Sequence, residues 1–297
     1  MTRSTNPPTA EALNTAGLNP DETRALVRTA LAEDLRYGPD VTTEATVAAD
    51  AVAEARFATR DAGVLAGLPL VLLVLDEVLG HEGYEVRSAR EDGGSLEAGD
   101  CALGVRASVR GLLTAERTAL NLLCHLSGIA TATASWVEAV RGTGCRIRDS
   151  RKTLPGMRLP QKYAVRCGGG VNHRLGLGDA VLVKDNHVVA AGSAVAALRA
   201  CRARAPELPL EVEVSTLDEL DAVLAEGAEL VLLDNFTPQQ CARAVRRTAE
   251  VAPNTELEAS GGLTLDVARA YADTGVHYLA VGGLTHSAPS LDLGLDM

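Results

Sequence analysis

The second half of the chain alternates short apolar runs with helix-length segments. From about residue 129 onward, six aliphatic runs each end in polar residues or glycines, and segments such as SAVAALRACRARA and TLDELDAVLAEGA separate them. This alternation predicts parallel strands joined by helices, in an incomplete α/β barrel or in an open six-stranded sheet. The six predicted strands are CRIRDS (145–150), DAVLVKDN (179–186), LEVEVS (210–215), LVLLDN (230–235), LEASGG (257–262) and YLAVGG (278–283).

The first part of the chain mixes helical and strand patterns, which predicts a compact α+β unit. Residues 1–20 are polar and contain three prolines, so we predict a flexible tail there. A helix is predicted from Pro20, a strand in VAEARFATR, a buried helix in LPLVLLVLDEVL, a pair of strands in YEVRSARED and CALGVRASVRG, and a helix from Thr114 to Ser127–Gly128. The predicted domains are 21–128 and 129–288, with a strand in 289–297 returning to the first sheet.

In a barrel, the carboxyl ends of the strands meet at one mouth, where the chemistry of such folds is found. Side chains alternate along a strand, so Glu211 and Glu213 share one face of LEVEVS while Val212 and Val214 share the other. The valines should pack against helices. Both glutamates should therefore point into the barrel.

The distribution of charge adds to this prediction, because a chain with a net charge of −11 contains one strongly basic segment. Residues 141–184 hold ten Arg or Lys residues and two acids, and the three lysines of the chain (Lys152, Lys162 and Lys184) all lie within it. An acidic chain is a poor general binder of nucleic acid, and no apolar run is long enough to span a membrane. The six cysteines show no CxxC spacing, which favours free thiols, a reducing cytoplasm and no zinc or disulfide framework.

The basic segment predicts a site for a small polyanion. Five side chains that are or can become cationic fall on successive strand ends and loops: Arg151, Lys152, His173, Arg174 and Lys184. Arg pairs with carboxylates or phosphates through two parallel hydrogen bonds, and Lys acts as a point charge. A surface network of salt bridges is the alternative. GGGVNHRLGLGD fits neither a P-loop nor a GxGxxG motif, so we interpret it as a loop that approaches a ligand closely.

Two further groups of residues complete the predicted mouth. Glu213 and Asp234 end consecutive strands, where they would hold sugar hydroxyls or Mg²⁺, or would only pair with the cations. The turns Ser260–Gly262 and Gly282–Gly283 follow the last two strands, a position where barrels commonly bind phosphate. Together these features favour transfer of a phosphosugar onto an acidic acceptor.

Several motifs, taken together, resemble the quinolinate phosphoribosyltransferase family over residues 24–295. They are ERTALNLLCHLSGIAT, DSRKTLPGMR, KYAVRCGGGVNHRLGLGDAVLVKDNH, EVEVS, LLDNF, EASGG and VGGLTHS. The resemblance implies an N-terminal α/β sandwich domain and a C-terminal incomplete α/β barrel. It also implies a cytoplasmic homodimer with shared active sites, with assembly to a hexamer left open. The implied reaction converts quinolinate and phosphoribosyl pyrophosphate, with Mg²⁺, into nicotinate mononucleotide, pyrophosphate and CO₂ in NAD biosynthesis.

The resemblance also implies roles for individual residues. Four residues would grip the two quinolinate carboxylates, and Arg117 would reach in from the partner subunit. Lys152, Lys184, Glu213 and Asp234 would be catalytic, with Lys152 beside the pyrophosphate and the two acids near ribose and Mg²⁺. The carboxylate-gripping residues are Arg151, His173, Arg174 and Lys184; the other substrate-binding residues are Ser150, Ser260, Gly261, Gly262, Gly282 and Gly283.

Three other functions remain open at this point. A barrel lyase or aldolase would use Lys184 to form an imine. A non-catalytic protein would bind phosphosugars or dicarboxylates without turnover. A phosphoribosyltransferase acting on nicotinate would share the fold but would have no need to clamp two carboxylates.

Overall fold

The computed structural model describes residues 7–297 and divides them into two compact units. The first unit comprises the described residues up to 132, residues 154–169 and residues 287–297, and the second comprises residues 133–153 and 170–286. The predicted boundary at residue 129 does not account for one later segment, because residues 154–169 belong to the first unit. In this segment, the Tyr163 hydroxyl donates a hydrogen bond to Asp92, and the Arg166 side chain donates one to the carbonyl of Ala16. Both partners belong to the first unit, which explains the assignment.

The first unit combines helices with a four-stranded antiparallel sheet. The sheet order is β12-β1-β5-β3, and Phe57 lies opposite both Leu295 and Leu103. Its elements are α1 (Pro7–Thr15), α2 (Pro20–Asp34), α3 (Val41–Thr46), β1 (Val52–Thr59), β2 (Gly63–Val64), α4 (Leu68–Leu79), β3 (Tyr84–Ala89), β4 (Ser95–Leu96), β5 (Cys101–Ser108), α5 (Val109–Ala139), α6 (Arg158–Cys167) and β12 (Leu293–Asp296). The predicted return of the C-terminal strand to this sheet is confirmed.

The helices of this unit form a layer beside the sheet. Helix α4 packs on β5, and α1 and α2 pack on α4. Leu70, Leu73 and Leu75 of α4 are completely buried, as its apolar sequence predicts. The arrangement is a helix-on-sheet sandwich.

Two predictions for this unit were wrong. Residues 7–15 are helical rather than part of a loose tail, because Leu13 and Leu18 are buried in the core; residues 1–6 lie outside the described residues. Helix α5 also runs to Ala139 and does not stop at Ser127–Gly128. The Ser127 hydroxyl bonds to the main chain of Ala66, and Gly128 leaves space for the Pro289 carbonyl. These two residues serve packing inside the helix.

The second unit contains all six predicted parallel strands. Its elements are β6 (Arg146–Arg148), β7 (Val181–Val183), α7 (Asp185–Ala191), α8 (Ala194–Arg204), β8 (Leu210–Val214), α9 (Leu217–Ala225), β9 (Leu230–Asp234), α10 (Pro238–Val251), β10 (Glu256–Ser260), a 3₁₀ turn (Leu265–Val267), α11 (Ala268–Ala272), β11 (Tyr278–Ala280) and α12 (Gly283–His286).

The strand order is that of a barrel rather than of a doubly wound sheet. It runs β6-β11-β10-β9-β8-β7, so the first strand pairs with the last, with Ile147 opposite Leu279. A doubly wound sheet would instead reverse its order at a switch point. The ring is left open between β6 and β7, which confirms an incomplete α/β barrel.

The strands bury apolar side chains under the helices and direct polar ones inward. Val212 and Val214 are buried on β8, on which α8 and α9 pack. Glu211 and Glu213 take the opposite face, as predicted, and there they contact His173 and Lys184, respectively. In the described part of the chain, no helix is both long and apolar enough to cross a membrane.

Candidate active site

A cavity of about 560 Å³ opens at the carboxyl ends of the barrel strands. It brings together eleven of the fourteen predicted site residues: Ser150, Arg151, Lys152, His173, Arg174, Lys184, Ser260, Gly261, Gly262, Gly282 and Gly283. Leu182, Leu232, Leu263, Ala280 and Val281 add an apolar part to the wall. The cavity therefore offers both charge and a surface for a ring or a sugar.

Four cations surround this cavity, and we call them the rim cations: Arg151, Lys152, Arg174 and Lys184. Within residues 7–297, Lys184 alone among them has a carboxylate within 4.0 Å, with its Nζ 3.0 Å from Glu213 Oε2. Burial, together with the charge of Arg151, lowers the pKa of the Arg174 guanidinium. The other three rim cations lack such a pair, so the rim carries more positive charge than the protein neutralises.

The loop that carries His173 and Arg174 is attached to the end of β6. Val171 forms an isolated parallel bridge to Arg148. The buried Asp149 carboxylate accepts the main-chain N–H of His173 at 2.8 Å and the Asn172 side-chain amide at 2.6 Å. These bonds place the two residues at the cavity wall.

Beneath the rim lies a buried group of charges that we call the floor cluster: Arg148, His173, Glu211 and Glu258. Arg148 Nη1 donates to Glu258 Oε2 at 2.7 Å, and His173 Nε2 lies 2.9 Å from Glu211 Oε2. Burial is the main cause that raises the pKa of Glu211 and of Glu258, each to about 7, and the charge of Glu211 contributes to the rise at Glu258. The floor cluster balances most of its charge internally.

The glycines of the two turns differ in how closely other atoms approach them. At Gly261 the φ angle is +96°, and an added Cβ would lie 2.2 Å from Asn235 Oδ1. A Cβ on Gly282 would lie 3.0 Å from the Lys152 side chain, whereas one on Gly283 would meet nothing within 4 Å. Close approach of the backbone is therefore required at Gly261.

The three remaining predicted residues do not line the cavity. Glu213 pairs with Lys184, and Asp234 Oδ2 accepts the Asn235 side-chain amide at 2.8 Å at the end of β9. Arg117 lies on α5 in the first unit, where it is exposed. The basic segment of the sequence holds only two acids, but the structure brings carboxylates from other strands to it: Glu213 to Lys184, Glu211 to His173 and Glu258 to Arg148.

Comparison with known proteins identifies the family. The model of the quinolinate phosphoribosyl transferase N-terminal domain matches residues 40–127, and that of the C-terminal domain matches residues 129–296. The chain belongs to the quinolinate phosphoribosyl transferase family. The resemblance seen in the motifs is thereby confirmed.

Named relatives agree with this family. A nicotinate-nucleotide pyrophosphorylase (carboxylating) of Mycobacterium leprae is 61% identical over 93% of this chain and 98% of its own length. A human protein of the same name is 38% identical over 94% of this chain and 93% of its own length. The solved structure of the nicotinate-nucleotide pyrophosphorylase from Francisella tularensis has a TM-score of 0.87 and 37% identity, and covers 93% of this chain and 96% of that one.

Several residues that line the cavity were not predicted from the sequence. Glu258, Leu182, Leu232, Leu263 and His286 also line the cavity. Glu258 could have been found, since it stands two residues before Ser260 on β10 and strand alternation places both on one face. The apolar residues carry no comparable signal, because Leu182 and Leu232 read as ordinary members of buried strands.

Proposed function

We propose that this chain transfers the phosphoribosyl group of phosphoribosyl pyrophosphate to the ring nitrogen of quinolinate. Loss of CO₂ then gives nicotinate mononucleotide, and pyrophosphate is the second product. The observation that carries this proposal is one cavity in which unneutralised rim cations lie beside glycine turns at strand ends. The family membership supports the same reaction.

Quinolinate carries two carboxylates, and the rim cations would bind them. Arg151 and Arg174 can each form paired hydrogen bonds with a carboxylate, and Lys184 supplies a compact charge. The nearby Leu182 and Leu232 side chains offer an apolar surface for the pyridine ring. The ion pair of Lys184 with Glu213 suits an anion-binding ammonium better than an imine-forming amine, which must be neutral.

The sugar phosphate would bind at the glycine turns of the same cavity. Main-chain N–H groups of the Ser260–Gly262 and Gly282–Gly283 turns can donate to its 5′-phosphate oxygens. Lys152 would lie beside the pyrophosphate, and its main-chain carbonyl is held by the Thr285 hydroxyl at 2.8 Å. Lys152 is thus fixed next to the Gly282 turn.

Glu213 and Asp234 would stabilise the positive charge that develops on the ribose as pyrophosphate departs. Their carboxylate oxygens are of the type that Mg²⁺ prefers, so they fit the expected cation, directly or through water. Mg²⁺, when bound, would neutralise the leaving pyrophosphate. His173, Glu211 and Glu258 lie within 4.8 Å of one another but do not fit Mg²⁺, because Arg148 already pairs with Glu258.

The rest of the reaction follows from the chemistry of the pyridine ring. Attack by the ring nitrogen on the ribose makes that nitrogen cationic. The cation stabilises the carbanion that remains when the adjacent carboxylate departs as CO₂, and this carbanion then takes up one proton to give nicotinate mononucleotide. The protein's task in this step is to orient the ring and to exclude water.

We also propose a homodimer in which Arg117 completes the partner's site. Arg117 lines a surface cavity of about 230 Å³ on the first unit together with Leu35, whose side chain is exposed, as is that of Tyr37 two residues further along the chain. Exposed apolar residues beside a cavity are typical of an interaction surface. Mixing inactive Arg117→Ala and Glu213→Gln proteins should restore activity, because each mixed dimer contains one intact site; no recovery would reject a shared site.

The direct test is incubation with quinolinate, phosphoribosyl pyrophosphate and Mg²⁺, with chromatography of the products. We expect nicotinate mononucleotide and CO₂ in equal amounts. A matched incubation with nicotinate in place of quinolinate should yield little product. Comparable product from nicotinate, binding without turnover, or borohydride trapping of Lys184 with a carbonyl substrate would each favour a rival function.

A further inference from the structure

The two ring nitrogens of His173 are both directed at groups within the protein. Nδ1 accepts the main-chain N–H of Arg174 at 2.7 Å. Nε2 lies 2.9 Å from Glu211 Oε2 and 3.8 Å from Glu258 Oε1. The side chain is only 8% exposed. The imidazole therefore lies between the main chain of Arg174 and two buried carboxylates.

Glu258 is the deepest member of this arrangement. Its side chain is completely buried, and its Oε2 accepts from Arg148 Nη1 at 2.7 Å. The guanidinium of Arg148 in turn lies over the Tyr278 ring, 4.7 Å from its centroid. Glu258 is therefore fixed from below by Arg148, while its other oxygen, Oε1, faces His173.

The upper end of the arrangement is Arg174. Its main-chain N–H is held by His173, and its Nη1 donates to the Ala180 carbonyl at 3.2 Å. No carboxylate within residues 7–297 lies within the 4.0 Å of a salt bridge to it. The direction of the Arg174 side chain thus depends on two main-chain contacts, one of which runs through His173.

We propose that Glu258 and His173 are positioning residues for quinolinate: Glu258 orients the imidazole, and the imidazole holds Arg174 at the cavity wall. The inference rests on the proposed function and deepens it. The carboxylate oxygens of Glu211 and Glu258 that face Nε2 of His173 favour a proton on that nitrogen, which leaves Nδ1 as the acceptor for the main-chain N–H of Arg174.

Kinetics of Glu258→Gln, compared with Glu256→Gln, test the lower half of this arrangement. Glu256 is the matched control, since it precedes Glu258 by two residues on β10 and also contacts an arginine, Arg146, at 3.6 Å. It does not line the cavity. We expect Glu258→Gln to raise the KM for quinolinate about tenfold, as for one weakened charge-assisted contact. The KM for phosphoribosyl pyrophosphate should change less than about twofold, and Glu256→Gln should change neither constant.

A second pair of variants tests the upper half. In His173→Asn, the Asn Oδ1 can still accept the N–H of the next residue, as Asp185 Oδ1 does from Asn186 at 2.7 Å. His173→Ala removes this acceptor. We expect Ala to raise the KM for quinolinate about tenfold and Asn to raise it no more than about threefold. Equal losses in the two variants would overturn the positioning role.

The outcomes also separate this inference from the proposed function. If wild-type protein forms no nicotinate mononucleotide, the proposed function fails. If wild-type protein is active but Glu258→Gln leaves the KM for quinolinate unchanged, only the positioning role fails. Equal increases in both KM values would likewise overturn it, because they would indicate general damage to the barrel. Melting temperatures of all four variants identify any that do not fold.

Discussion

The rim cations and the floor cluster lie in the same barrel but differ in whether their charges have partners within the protein. At the rim, Arg151, Lys152 and Arg174 have no carboxylate partner within residues 7–297, and only Lys184 has one. In the floor cluster, Arg148 pairs with Glu258 and His173 contacts Glu211, all at 2.9 Å or less. The rim has an excess of one sign, and the floor does not.

This difference indicates what each layer does. Like charges gathered in a cavity repel one another unless an anion arrives, so the rim is built for a ligand. Buried charges without a partner are costly, so the floor supplies its own partners and holds the rim in place. An unneutralised excess of charge marks the binding layer better than the number of charged residues does.

Removing the Glu258 carboxyl from the floor cluster should change how the stability of the protein depends on pH. Burial raises the pKa of Glu258 from 4.5 to about 7, so the folded state keeps a proton that the unfolded state has lost. The associated stability is present below pH 4.5 and is lost as the pH rises through about 7. The shift corresponds to at most about 3 kcal/mol. Between about pH 5 and pH 8, we expect the free energy of unfolding to fall more for wild-type protein than for Glu258→Gln.

Denaturant unfolding at several pH values measures this dependence. Glu256→Gln is again the control and should retain the wild-type dependence. Identical slopes for wild-type protein and Glu258→Gln would show that Glu258 ionises normally in the folded state, which would contradict the rise in its pKa that burial causes.

Breaking the rim should affect binding rather than stability. Arg174→Ala removes one charge-assisted contact, so quinolinate should bind about 1.5–3 kcal/mol more weakly, or roughly tenfold to over a hundredfold. Binding of phosphoribosyl pyrophosphate should change far less. Calorimetric titration of each ligand measures both effects, with Arg199→Ala, an exposed arginine paired with Glu226, as the control. Equal weakening of both ligands would reject the assignment of Arg174 to quinolinate.

The glycine turns offer a smaller test, which concerns the proposed phosphate-binding part of the cavity. Gly261→Ala places a Cβ at a φ of +96° and 2.2 Å from Asn235 Oδ1, so the turn must shift. We expect a loss of about 1–2 kcal/mol in stability, with a raised KM for phosphoribosyl pyrophosphate. Gly283→Ala is the matched control, since nothing lies within 4 Å of the added Cβ. Similar results for the two variants would argue against a backbone cradle at Gly261.

Much of the barrel could be predicted from the sequence, because its signals are local. Strand–helix alternation located all six strands, and side-chain alternation placed Glu211 and Glu213 in the interior. The pairing of β6 with β11 joins distant parts of the chain, so it could be established only from the structure. The same limit explains α1, since the polar pattern of residues 7–15 conceals Leu13, which only tertiary packing buries.

The site was predicted in the same uneven way. Cations at strand ends were recognised because charge stands out in an aliphatic sequence. Their partners were harder to find, since Glu258 comes from another strand and its pairing with Arg148 spans 110 residues. Sequence alone assigned His173 to the substrate by analogy, whereas the structure shows what its two nitrogens contact.

The comparison of quinolinate with nicotinate binding tests the central claim most directly. Both ligands have the same ring, and quinolinate has one more carboxylate for the rim cations to neutralise. Calorimetric titration of each ligand into the same protein should show quinolinate binding at least about tenfold more tightly, the value of one additional charge-assisted contact. Equal affinities would contradict a rim built to receive a dianion.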